Sequence, residues 1–285
     1  AYQLLLITII LSTVVMVVIL LLKRPLLQLF FGKIETDVME NAITYLNITA
    51  ISYPFLAIYS SCAALFRSMG NSKISMLLSL LMNIINIGAN AFFVFLLHFG
   101  IQGVAIPSLV SCFIASIIIL YLICNPKNQI YINRKVKFEI DGAMIKKILH
   151  IGIANGLENA LFQLGRVLVV SIIAGFGTVQ IAANAVANNI DSIGCIPGQA
   201  INLAMITVIG QCVGAGDYNQ AEYYTKKLMK IAYAFTSSIN AIILCVLPIL
   251  LFVYHLSDET LELAKILIWI HCGCAIILWP ASFTL

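Results

Sequence analysis

Apolar runs about as long as a lipid bilayer is thick alternate along this chain with short polar connections. Eight stand out, at about residues 3–22, 43–66, 74–97, 103–124, 148–175, 179–212, 228–254 and 261–285. A helix rises about 1.5 Å per residue, so about 20 apolar residues cross the hydrocarbon core. Inside lipid every backbone N–H and C=O needs a partner in the protein, which leaves helices or a closed barrel. Runs this long and this apolar predict helices. The expected fold class is an all-α integral membrane protein with about eight transmembrane helices.

Composition supports that class. The chain is 61% hydrophobic and only 10% charged, with mean hydropathy +1.03. A soluble domain carries about 25% charged residues. The eight cysteines lie almost entirely within the apolar runs, where a free thiol packs as a small apolar group. Cys272 and Cys274 flank Gly273 beside His271, but no second cluster supplies further ligands, so no metal site is expected. No HExxH, P-loop or GxSxG pattern is present, and neither a nucleophile–base pair nor clustered metal ligands point to an enzyme.

The net charge of +4 reads as topology. Alternating connections form two sets, one with eleven basic residues, including Arg67, Lys73, Lys127, Arg134, Lys146 and Lys226, and one with four. The positive-inside rule makes the richer set cytoplasmic, including the long connection 125–147. The acidic cluster Asp258, Glu259, Glu262 then faces outward. A nucleic-acid partner would need a basic face on a soluble domain, and none is present.

The chain repeats itself. Pro25 and Pro248 lie 223 residues apart, each after an apolar run and before an acidic segment read as a loop, ETDVMENA (35–42) and DETLELA (258–264). Each is followed by a helix carrying an aromatic–Pro pair, Tyr53-Pro54 and Trp279-Pro280. Weak internal repeats mark secondary transporters, and an even number of intervening helices makes these copies parallel. A period of about 225 residues implies a parent of about 450. The chain is therefore expected to be a piece lacking about two helices at each end, with 125–147 linking two lobes; a complete eight-helix protein is the alternative.

Several runs carry polar residues at helical spacing. In 148–175, Asn155, Glu158, Asn159, Gln163 and Arg166 share one stripe. Glu158 and Arg166 stand about two turns apart and do not pair on one helix. In 179–212, Asn184, Asn188 and Asp191 share a face. Pro197 follows, where a missing donor and a clash with the Ile193 carbonyl predict a kink, suited to a hinge or to ion coordination. A charge at the bilayer centre costs about 2.5–3.5 kcal/mol on insertion scales, so such residues face water, solute or ions. Structural ion pairs and a plain packing kink are the competing readings. In 74–97, Ser79, Asn83, Asn86 and Asn90 read as interhelical glue. The small residues of GIANG (152–156) and Ala182, Ala183, Ala185 and Ala187 permit close helix contacts. Two acids against one base favour a cationic solute, and Tyr45, Tyr53, Tyr59, Phe55 and Trp279 offer aromatic faces.

The stretch 66–111 resembles the multidrug and toxic compound extrusion (MATE) family. It shows an Arg-x-x-Gly-Asn turn (Arg67, Gly70, Asn71), an Asn-rich helix, and a Gly-x-x-Gly-x-Ala turn (Gly100, Gly103, Ala105). AANAVANN (182–189) and GQCVGAGDYNQA (210–221) look like the matching helix and turn of the second half. The resemblance implies twelve helices in two six-helix lobes, of which this chain holds helices three to ten. Residues 1–124 would be part of the N-terminal lobe and 148–285 part of the C-terminal lobe. It implies a monomer in the lipid bilayer of the cell membrane that exports small organic cations by alternating access. Sodium ions or protons drive the exchange, with no other cofactor. The sequence departs from the family pattern in four places. Asn90 stands where Asp is frequent, and Pro107 replaces a small residue. Glu158 lies about one turn before the cavity Glu of sodium-coupled relatives. No Asp occurs between Leu261 and Leu285. The alternatives are a lipid-linked oligosaccharide flippase, which would want a more basic cavity than Arg166 alone provides, and a membrane-embedded enzyme or receptor.

Overall fold

The computed structural model describes residues 1–31, 36–132, 141–254 and 256–284. In order these form α1 (Tyr2–Phe31), α2 (Thr36–Ser68), α3 (Ser72–Ala91) with a π-helical turn Phe92–Leu96, α4 (Gln102–Ile123), α5 (Gly142–Ala174), α6 (Thr178–Gly214), α7 (Tyr218–Val253) and α8 (Asp258–Thr284). All eight are long and apolar enough to span a membrane. The all-helical expectation holds. The chain divides into two compact units, Ala1–Gly152 and Ile153–Leu285.

Most helices extend beyond the apolar runs, and their caps explain why. Hydropathy places the fifth run at 148, but the Asp141 carboxylate accepts from the N–H groups of Ala143 (3.0 Å) and Met144 (3.1 Å), and α5 starts at Gly142. Likewise Asp217 Oδ1 accepts from the Gln220 N–H (3.0 Å) and starts α7 ten residues before its apolar run. The described residues of the acidic segments read as loops, 36–42 and 258–264, are also helical. Asp37 lies in the first turn of α2, and Asp258 and Glu259 lie in the first turn of α8. Negative charge there complements the positive end of the helix dipole and supports the start of a helix. Pro25 and Pro248 are helix-internal, as are Pro54, Pro107, Pro197 and Pro280. Lys33, Arg134, Lys135, Lys137, His255 and the Trp279 side chain lie outside what is described. Residues 133–140 of the expected linker do too.

The two motif turns have one geometry. After α2 the N–H of Gly70 donates to the Arg67 carbonyl (2.8 Å) and that of Asn71 to the Phe66 carbonyl (2.9 Å). After α6 the N–H of Gly216 donates to the Val213 carbonyl and that of Asp217 to the Cys212 carbonyl, both at 3.0 Å. Both are Schellman ends, with glycine left-handed at φ +77° and +76°. The following Asn71 or Asp217 opens the next helix.

In the first unit α2 packs on α1, α3 and α4, and α4 packs on α3. Leu5, Cys62, Ala63, Phe66, Leu78, Ile119 and Ile123 form its core. In the second unit α6, α7 and α8 pack on one another around Val186, Ile190, Ile243, Leu247, Leu251, Ile268 and Cys272. Ala183 and Ala187 are fully buried there, as small residues at helix contacts should be, while Ala185 is exposed. Many large apolar side chains, such as Ile10, Val14, Leu161 and Phe252, point outward. In water these would be a liability; on a membrane helix they form the lipid-facing surface.

Polar rivets cross the helix contacts of the first unit. Ser61 Oγ donates to Thr8 Oγ1 (2.9 Å), Lys23 Nζ to Asn47 Oδ1 (2.9 Å) and Tyr59 Oη to the Ser75 carbonyl (3.3 Å). Asn86 Nδ2 donates to Ser108 Oγ (3.0 Å), and Asn90 Nδ2 to Asn86 Oδ1 (2.9 Å). The Asn86 and Asn90 side chains thus join α3 to α4, the glue expected of this face, whereas Asn83 points outward. Phe55 stacks edge-on against Phe113 at 5.0 Å, so it and Tyr59 serve helix packing.

Candidate functional site

The polar stripe of α5 is exposed over its whole length: Asn155, Glu158, Asn159, Gln163 and Arg166. From Ile153 onward the helix packs against none of α6, α7 and α8. Gly152 and Gly156 have open space where a Cβ would stand, so the small-residue run GIANG makes no close helix contact. Asn159 Nδ2 donates to the Asn155 carbonyl (2.9 Å) within the helix. Glu158 and Arg166 form no ion pair among the described residues, in keeping with their spacing.

On α6 the stripe Asn184, Asn188, Asp191 is half-buried. The Asp191 carboxylate lies beside the Cys195 thiol one turn on, and within electrostatic range of Cys272 on α8. The Arg166 guanidinium also reaches the field at Cys195, without contacting the carboxylate. Asp191 Oδ1 is buried and has no hydrogen-bond partner. Cys272 is buried while Cys274 is exposed, so the two thiols face different sides of α8 and do not cluster.

Position 197 is helix-internal, and α6 runs through it from Thr178 to Gly214. Proline removes the donor that would serve the Ile193 carbonyl. Immediately next to that carbonyl, Asn240 of α7 reaches across to α6. Its Nδ2 donates to the Thr236 carbonyl (2.8 Å) and approaches the Gly194 carbonyl (3.5 Å). Both neighbours of Nδ2 are acceptors, which fixes the orientation of the amide. Asn240 Oδ1 therefore points at the Gly194 Cα, buried and without a partner. Thr236 Oγ1 is likewise buried and unpartnered.

Thr236 and Asn240 are residues that hydropathy reasoning passes over, because two polar groups barely dent an apolar run. Periodicity carries the signal. Ala232, Thr236, Asn240, Ile243, Leu247 and Leu251 form the buried stripe of α7, so its polar members must face α6 and α8 rather than lipid.

A model of the MatE family matches residues 1–92 and 155–283. The chain belongs to the MatE family. Its members are membrane transporters, so this is a multi-pass membrane protein of a multidrug transporter family and not an enzyme. Among curated relatives, the probable multidrug resistance protein NorM of Thermotoga maritima is 22% identical over 243 residues, covering 83% of this chain and 51% of that protein. The probable multidrug resistance protein YpnP of Bacillus subtilis is 26% identical over 186 residues, covering 65% and 41%. The chain spans about half the length of the curated relatives it matches. Among solved structures, an outward-facing multidrug resistance MATE family transporter of the MOP superfamily superposes with TM-score 0.86 at 21% identity, covering 99% of this chain and 63% of that one. A MOP superfamily transporter from Pyrococcus furiosus, described as having a binding pocket of reverse polarity, gives 0.88 at 20%, covering 98% and 63%. These likenesses support the fold, including the arrangement of helices within each unit.

Proposed function

We propose that this chain is the membrane-embedded part of a secondary active exporter of organic cations, driven by inward sodium ions or protons through alternating access. The observation that carries the reading is Asp191, a carboxylate in a membrane-spanning helix with a buried oxygen that nothing in the protein satisfies. Leaving such a group unpartnered is costly, and a cation or a proton relieves that cost.

The stripe of α5 supports the same reading. A face bearing Glu158 and Arg166 is expensive against lipid, so it belongs on a water-filled pathway. Asn155, Asn159 and Gln163 line the same side and supply hydrogen bonds to a polar solute. Glu158 and Asp191 give that pathway an acidic bias suited to a cationic substrate. Binding of the coupling ion at the acids competes with the substrate and releases it outward, and loss of the ion resets the inward state. Pro197 gives α6 a point of bending for that transition. The expected working form is a monomer.

Efflux of ethidium from pump-deficient cells expressing the full-length protein tests the reading. Efflux that collapses when the ion gradient is dissipated is the expected result. Its absence from a well-expressed protein would overturn cationic drug export. The reverse-polarity pocket described for the Pyrococcus furiosus relative makes an anionic solute the alternative; it would be favoured if Arg166, not the acids, proved essential.

A further inference from the structure

Lys226, Lys227 and Lys230 stand within about one turn of one another in the first part of α7. All three are exposed, as is Tyr223 just before them. They share the side of α7 turned away from its buried stripe of Ala221, Ala232 and Thr236. Followed along the helix, that side runs on through Ile231, Phe235, Ile242 and Ile249, all exposed and apolar. A lipid-facing strip therefore ends in a basic cluster, at the level where the apolar run begins near residue 228.

The three lysines are not equivalent. Lys226 Nζ pairs with Glu222 Oε1 (2.5 Å), which offsets its charge within the helix. The Asp217 carboxylate is engaged as the N-cap of α7. Among the described residues, neither Lys227 nor Lys230 has a carboxylate partner. Three residues apart, they are neighbours on the helix surface with Cβ atoms about 5–6 Å apart, a gap that one phosphate group bridges. Lys227 Nζ lies over the Tyr223 ring, 5.6 Å from its centroid, and that ring meets Tyr224 edge-on at 5.4 Å. The cation–π contact keeps the ammonium close to the helix. Tyrosine is enriched at the boundary between lipid tails and water, and lysine stems there run along apolar surface to carry the ammonium to the headgroups. The positive-inside rule puts this end of α7 on the cytoplasmic side, where the lipid surface is negative and attracts juxtamembrane lysines.

We propose that Lys227 and Lys230 bind the phosphate of an anionic phospholipid on the outward side of α7, with its acyl chains lying along Ile231, Phe235 and Ile242. Two uncompensated ammonium groups match the charge of the headgroup, and the apolar strip that continues from them matches the chains. A soluble anion would gain nothing from that strip. Glu222 limits the affinity by holding Lys226 out of the site. The proposal needs only that α7 spans a membrane, and it is independent of which solute is exported and which ion drives it.

The test is the thermal midpoint of the purified full-length protein in neutral detergent, titrated with dioleoylphosphatidylglycerol, with dioleoylphosphatidylcholine, or with soluble glycerol phosphate at constant ionic strength. A saturable rise is expected with phosphatidylglycerol alone. Lys227→Gln and Lys230→Gln should each raise the half-saturating lipid fraction about fivefold, and the double variant about 25-fold. Melting without phosphatidylglycerol should stay as in wild type, because both side chains are exposed. Glu222→Gln releases Lys226 and should lower the half-saturating fraction, a gain that a merely structural cluster would not show. Lys265→Gln makes the same charge change near the start of α8, at the other end of the unit, and should titrate as wild type. Equal shifts with both lipids overturn the proposal. A full response to glycerol phosphate does so too, and would make the cluster a soluble-anion site. So does wild-type titration in the double variant or, should that variant not fold, in Glu222→Gln.

Discussion

Asn240 holds its side-chain oxygen against Gly194, so close that a Cβ on that glycine would stand 2.5 Å from it. One helix, α7, is thereby seated on the turn of α6 that precedes Pro197. Gly194→Ala should force the buried amide aside. Overpacking of this kind costs about 1–3 kcal/mol. Thermal unfolding in detergent should show the loss, and it should shrink in the Asn240→Ala background because the clash is gone. A full-sized penalty for Gly194→Ala in that background would mean that the glycine is needed for another reason.

The two Schellman turns predict a pair of matched effects. Gly70 and Gly216 sit at φ +77° and +76°, where an L side chain costs about 1–2 kcal/mol. Gly70→Ala and Gly216→Ala should each lower stability by about that amount. Gly210→Ala, within α6 and with open space around it, should be neutral or slightly stabilising, since alanine is the better helix former by about 1 kcal/mol. Melting curves of the three variants side by side check this; equal destabilisation by all three would contradict it.

The Asn86–Ser108 bond joins α3 to α4 at 3.0 Å. Interhelical hydrogen bonds in membranes are worth about 0.6–2 kcal/mol. Asn86→Ala and Ser108→Ala should each cost about that, and the double variant should cost little more than either alone. Additive losses in a double-mutant cycle would show that the bond contributes no coupling.

Glu158 is expected to act in transport and not in folding, because it touches no other helix of its unit. Glu158→Gln should abolish gradient-driven efflux while leaving expression and melting temperature unchanged. Pro197→Ala should keep substrate affinity but slow turnover, since a straighter α6 bends less readily. Efflux at the wild-type rate in either variant would remove that residue from the mechanism.

The sequence by itself determined the fold class and much of its punctuation. Bilayer-length apolar runs leave one solution for the backbone, so all eight helices were legible. The repeat of Pro25 and Pro54 with Pro248 and Pro280 was legible too, since proline marks a position whatever surrounds it. Helix ends were less so. Hydropathy registers where a helix enters lipid, whereas Asp141 and Asp217 start α5 and α7 in water through local hydrogen bonds. The acidic segments of α2 and α8 looked like loops for the same reason. What only tertiary structure decided is which polar residues meet. The stripe of α5 follows from helical spacing alone, yet period cannot say what a face looks onto, and α6, α7 and α8 pack together without it. Thr236 and Asn240 leave little trace in hydropathy because two polar groups scarcely change the transfer free energy of a long apolar helix. They matter only because packing buries them against α6, where a side-chain oxygen without a partner cannot be satisfied by water.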